Sequence, residues 1–115
     1  MDKAVIEKKL AELMDLVPEC EGLIAADTNG KVLIGQTLTE MDHDAIAKTC
    51  ASIIKDANNL GASINKGGLK DTTIELDGGF AVIVSSSDII LIALAGTDGR
   101  SSLGLLKRNL MNIVS

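Results

Sequence analysis

Three short β-type segments, Thr72–Leu76, Phe80–Ser85 and Asp88–Ala95, follow one another with only Asp77-Gly78-Gly79 and Ser85-Ser86-Ser87 to turn between them. Connections this short leave no room for a crossover, so these strands must run antiparallel. The last two are nearly unbroken in Ile, Val, Leu and Ala, the pattern of central strands covered on both faces. A further tight turn lies upstream, where Thr28-Asn29-Gly30 separates EGLIAAD from KVLIG. Asn-Gly between apolar runs predicts a hairpin, since both residues tolerate positive φ.

Three helices are expected around these strands. Ile6, Leu10, Leu13, Met14 and Val17 fall on one helical face of residues 3–17, and Pro18 closes the helix. Thr39–Leu60 reads as a second helix, with Thr39 as cap, Glu40, Asp42 and Asp44 at the positive end of its dipole, and Asn59 and Gly61 at its end. Leu103, Leu106, Leu110 and Ile113 trace a third, in which Gly104 implies a close approach to the sheet or the first helix. The order α-β-β-α-β-β-β-α, without linker or repeat, predicts a single α+β domain over residues 1–115, with helices on both sheet faces.

Charge and composition remove several functions. The net charge is −5 and there are two arginines, Arg100 and Arg108, so no basic track for nucleic acid is expected. Phe80 is the sole aromatic residue, which leaves no platform for stacking bases. Cys20 and Cys50 lack CxxC spacing and read as reduced thiols. The N-terminus is too charged for a signal peptide, and the longest strongly apolar run, Ile89–Ala95, is too short to insert in a membrane. A cytoplasmic protein is expected.

Catalytic motifs fail in turn. Gly30-Lys31 has Ala25 and Val32 where a phosphate loop needs Gly and Ser or Thr. Asp42-His43-Asp44 point in different directions on a helix, and no second His completes a metal site. Ser85–Ser87 has no general base, since His43 is the single histidine, and Cys50 sits on an apolar stripe. The chain is therefore expected not to be an enzyme and to need no cofactor or metal. His43→Gln should leave partner binding intact. Thr97–Ser101, with Arg100, could hold an anion between strand and helix, although Asp98 as a helix cap explains the same residues.

The second helix carries more apolar surface than one sheet requires. Ile46, Cys50, Ile53, Ala57 and Leu60 cluster within about 80° and read as its core stripe, while Ala47, Ala51, Ile54 and Asn58 form a row roughly 100° around. That row of mostly small residues would let another helix approach closely. Hydrophobic residues make up 46% of the chain before its 11 Gly are counted, a surplus that another chain could cover. Ala51→Glu is expected to split such a contact.

The helix LAELMDLV, the hairpin EGLIAADTNGKVL, the stretches TIELDGGFAVIV and DIILIALAG, and the final SSLGLLKRNL resemble, in that order and from about Val5 to Val114, the Roadblock family of dynein light chain Roadblock-type domains. The resemblance implies a Roadblock/profilin-like fold with a five-stranded antiparallel sheet in the order 2-1-5-4-3. It implies homodimers in which the second helices pack together and the third strands join, placing Ala47, Ala51, Ile54 and Asn58 at the helix contact and Thr72, Thr73, Ile74 and Glu75 at the strand contact. It also implies an adaptor or scaffold that binds and regulates a small Ras-like GTPase. The alternatives are a small-molecule-sensing domain or a light-chain-like subunit of a larger complex. The chain carries no tail beyond the domain, so motor attachment or membrane tethering is not expected.

Overall fold

The computed structural model describes residues 2–114. Helix α1 (Lys3–Leu16) starts where the Asp2 carboxylate accepts from Ala4 N–H at 2.9 Å, and ends as Val17 turns extended ahead of Pro18. Strands β1 (Cys20–Asp27) and β2 (Val32–Thr37) form the first hairpin. Its turn falls at the expected Asn29-Gly30. Gly30 has φ 87°, whereas Asn29 does not take positive φ. Gly30 N–H donates to the Asp27 carbonyl at 3.0 Å, and the Asp27 carboxylate accepts from Asn29 and Lys31 N–H, so a tight turn and one left-handed glycine suffice.

Helix α2 (His43–Ser63) begins four residues later than the sequence predicts. Thr39 is drawn into the preceding loop, its carbonyl accepting from the Thr37 hydroxyl at 2.7 Å, and Asp42 caps instead, accepting from Ala45 N–H at 3.0 Å. The helix also runs through Gly61. A Cβ there would lie 1.7 Å from the Gly67 carbonyl oxygen, so Gly61 admits the returning loop and does not stop the helix. Strands β3 (Asp71–Leu76), β4 (Gly79–Ser85) and β5 (Ile89–Gly96) follow, then a 3₁₀ turn over Thr97–Ser102 and helix α3 (Leu103–Val114). Gly104 does not approach the sheet as expected. It is exposed on α3 with nothing within 4 Å of a Cβ placed there.

The sheet is antiparallel throughout, in the order β2-β1-β5-β4-β3. Alternation along each strand divides the core in two. Leu23, Ala25, Val82, Val84, Leu91 and Ala93 face α1 and α3, meeting Ile6, Leu10, Leu106 and Leu110. Ile24, Ala26, Ile83, Ile90 and Ile92 face α2 and meet Ala47, Cys50 and Ile54. The central strands are apolar at successive positions because both of their faces are covered. The edge strand β3 alternates over 72–75, with Thr72 and Ile74 half-buried and Thr73 and Glu75 exposed.

His43 fastens the start of α2 to β2. Its ring rests on Gly35, where a Cβ would fall 2.2 Å from Nδ1. The Thr37 hydroxyl spends its proton on Thr39, so it accepts from His43 Nε2–H at 3.0 Å. His43→Gln is expected to lower stability by about 1 kcal/mol in urea unfolding, through loss of the ring contact and this bond, while leaving partner binding unchanged.

Candidate interaction surface

Helix α2 lies along its sheet face with one flank apolar and the other polar. On the apolar flank, Ala45, Ile46, Thr49 and Ile53 of the helix look across a groove at Ile74 and Leu76 of β3, Ala81 of β4 and Leu94 of β5. The groove has a volume of about 400 Å³, with Cys50 also in its lining. Ile46, Ile53, Ile74 and Leu94 are half-buried, while Leu76 is 59% exposed. A small domain rarely leaves bulky aliphatic side chains in one open trough unless something covers them. Along the groove's outer wall runs β3, an edge strand that among the described residues pairs only with β4. Its outward backbone donors and acceptors are a ready site for another strand.

The opposite flank has another character. Thr28 and Asn29 of the β1–β2 turn face Lys48, Ala51, Ser52, Lys55 and Asn58 of α2 across a polar depression. Gly30 brings this turn close, since a Cβ on it would lie 2.9 Å from the Lys48 Cα. Burial pushes the Cys50 thiol up to about 11, and burial also raises Cys20, so neither offers a ready thiolate near neutral pH.

Compared with known families, the sequence matches the Roadblock/LC7 domain over residues 6–95. The chain belongs to the Roadblock/LC7 family. No match was found among curated proteins. In fold, this Roadblock/LC7 chain is similar to a Roadblock/LC7 domain from Streptomyces avermitilis, at 20% identity and a TM-score of 0.78, over 90% of this chain and 89% of the other. It is similar to MglB of Myxococcus xanthus at 14% identity and a TM-score of 0.72, over 90% and 89% of the two chains. Profilin of Schizosaccharomyces pombe shares the fold at 10% identity and a TM-score of 0.66, over 97% and 94%.

Within this Roadblock/LC7 domain the residues named from sequence scatter. Ala47 (0% exposed) and Ile54 (7%) lie in the chain's own core under α2, not on a partner surface. Ala51 is half-buried on the polar flank. The Asn58 side chain is tied to the loop before β3, its Oδ1 accepting from Leu69 N–H at 2.7 Å. Thr72, Thr73, Ile74 and Glu75 do lie on the β3 edge, with Thr72 and Ile74 on the α2 face and Thr73 and Glu75 on the other. The helix row left open is the bulky one. Ile46 and Ile53 are half-buried and Leu60 is 62% exposed, although the wheel assigned all three to the core.

Ile46, Thr49, Ile53 and Leu94 were missed as residues lining an open groove. The signal available was the i, i+7, i+14 spacing of Ile46, Ile53 and Leu60, together with the period-2 placement of Ile74 and Leu76 on one strand face. The Thr97–Ser101 segment is also occupied differently. Gly99 packs on Ala95, Arg100 turns to Glu75, and the Glu21 and Asp98 carboxylates flank Gly96, an acidic setting that disfavours an anion. Asp98 is not a helix cap, because it lies inside the 3₁₀ turn, whose start has no side-chain cap.

Proposed function

We propose that this chain is a homodimeric adaptor that binds and regulates a small Ras-like GTPase. The observation that supports it most is the juxtaposition of two unfilled surfaces, the apolar groove beside α2 and the free edge of β3. A second copy related by a two-fold axis places its own β3 along that edge and its α2 over the groove, covering both at once. One known structure of this fold, described as MglB with tetrameric arrangement, matches at 14% identity and a TM-score of 0.77 over 90% of this chain and 82% of the other, in keeping with self-association.

Membership of the family supports the GTPase as partner. The chain acts by binding, and any change in the partner's nucleotide state comes from positioning the partner's own groups. Among the described residues no helix is long and apolar enough to cross a membrane. The test is capture from native lysate on the immobilised dimer with GTP and GDP analogues, followed by reconstitution with the captured GTPase. A nucleotide-dependent complex with altered hydrolysis or exchange is expected. Reconstitution in which neither binding nor rate depends on nucleotide would contradict the proposal.

A further inference from the structure

The backbone groups that β3 offers to a partner can be read from its pairing with β4. Ser85 N–H donates to the Lys70 carbonyl at 3.0 Å, in register with the pairs Asp71↔Val84 through Leu76↔Gly79. Bonded and non-bonded pairs alternate in an antiparallel ladder. Lys70, Thr72, Ile74 and Leu76 therefore turn their backbone groups toward β4, and Asp71, Thr73 and Glu75 turn theirs outward. These same three residues carry their side chains on the α1/α3 face. A second β3 pairing here, with its α2 on the same side of the sheet, sets odd-numbered residues against odd-numbered ones. The register that engages every outward group centres on Thr73 and places Asp71 of each copy opposite Glu75 of the other. Like charges directly opposite are destabilising, and the two-fold axis repeats the clash.

Each carboxylate has a cation of its own chain beside it. Lys107 Nζ of α3 lies 3.3 Å from Asp71, and Arg100 pairs with Glu75. The Arg100 guanidinium is held 5.0 Å from the centre of the Phe80 ring, and Phe80 is the cross-strand neighbour of Glu75. The Arg100–Glu75 pair is exposed and the Lys107–Asp71 pair half-buried, so in a single chain the first contributes little to the fold. We infer that Arg100 and Lys107 neutralise the β3 edge so that it can pair with a second copy of this chain. The inference rests on the homodimer reading above and adds the device that permits self-pairing. It also makes the two ends of each ion pair unequal, since the edge needs the cation only because the carboxylate is there.

Sedimentation equilibrium on the wild type, Arg100→Gln, Arg100→Lys, Glu75→Gln and the Arg100→Gln/Glu75→Gln double variant tests this asymmetry. Arg100→Gln is expected to raise the dimer dissociation constant about tenfold, because the lost charge counts once in each copy, and high salt should shrink the loss. Arg100→Lys should retain wild-type affinity, Glu75→Gln should be no weaker than wild type, and the double variant should return to it. No weakening by Arg100→Gln, or equal weakening by Glu75→Gln, overturns the inference while leaving a dimeric wild type in place. A monomeric wild type overturns the homodimer reading itself, and this inference with it.

Discussion

Ile53→Asp is expected to give a folded monomer. Ile53 is half-buried on the groove side of α2, across from Ile74 and Leu76. In a single chain the new carboxylate can reach water from the mouth of the groove, so circular dichroism should keep its helical signal. In the dimer it would be enclosed among aliphatic side chains without a partner, which costs several kcal/mol. That corresponds to a loss of affinity of roughly a hundredfold or more. Light scattering coupled to size exclusion should then report one chain where the wild type reports two. Two controls make the result specific. Ala51→Glu and Lys55→Glu lie along the polar flank, and both should remain dimeric. Dissociation by Ala51→Glu with Ile53→Asp still dimeric would place the self-contact on the wrong flank.

The second large effect belongs to the fold. Leu91→Ala is expected to destabilise the domain by about 2–5 kcal/mol, the cost of lost burial plus the cavity left behind. Leu91 is fully buried in β5, between β1 and β4, on the face covered by α1 and α3. A domain whose whole stability is roughly 5–15 kcal/mol has little to spare. The adjacent Ile92, also fully buried, faces α2. Ile92→Ala should cost a similar amount and also loosen the seat of α2, weakening dimerisation, whereas Leu91→Ala should leave the dissociation constant nearly unchanged while folded. Urea unfolding at fixed chain concentration checks the first quantity and sedimentation the second. Equal effects of the two substitutions on dimerisation would contradict the division of the core into two faces.

The sheet was legible because its signals are local. Asp77-Gly78-Gly79 and Ser85-Ser86-Ser87 forced antiparallel neighbours, and continuous apolar runs marked β4 and β5 as central. The order β2-β1-β5-β4-β3 came from the family resemblance, since alternation cannot say which strand lies beside which. Helix ends were less legible. Thr39 and Asp42 can both cap, and the choice is made by the Thr37 hydroxyl and the His43 ring on Gly35, side-chain contacts that a backbone propensity does not encode.

The orientation of α2 shows the same limit in the candidate site. A helical wheel gives the spacing of Ile46, Ala47, Cys50, Ile53 and Ile54, but its zero angle is set by what the helix rests on. Here the β1–β2 turn presses Gly30 against the helix backbone near Ala47 and Lys48. The small side chain therefore goes beneath the helix, and Ile46 and Ile53 rotate to the flank. The excess of apolar surface on α2 was read correctly, and the row that carries it was not. Gly61 and Gly104 reverse in the same way, one serving a close approach inside a helix expected to have ended, the other exposed where contact was expected.

The account stands on the claim that a second copy covers the groove and the β3 edge. The most direct measurement is the mass of the wild-type chain in solution, by light scattering after size exclusion at micromolar concentration. Detection should use refractive index, because the chain has no Trp or Tyr. The account predicts a single species at twice 12.0 kDa. A species at 12.0 kDa under those conditions would contradict it.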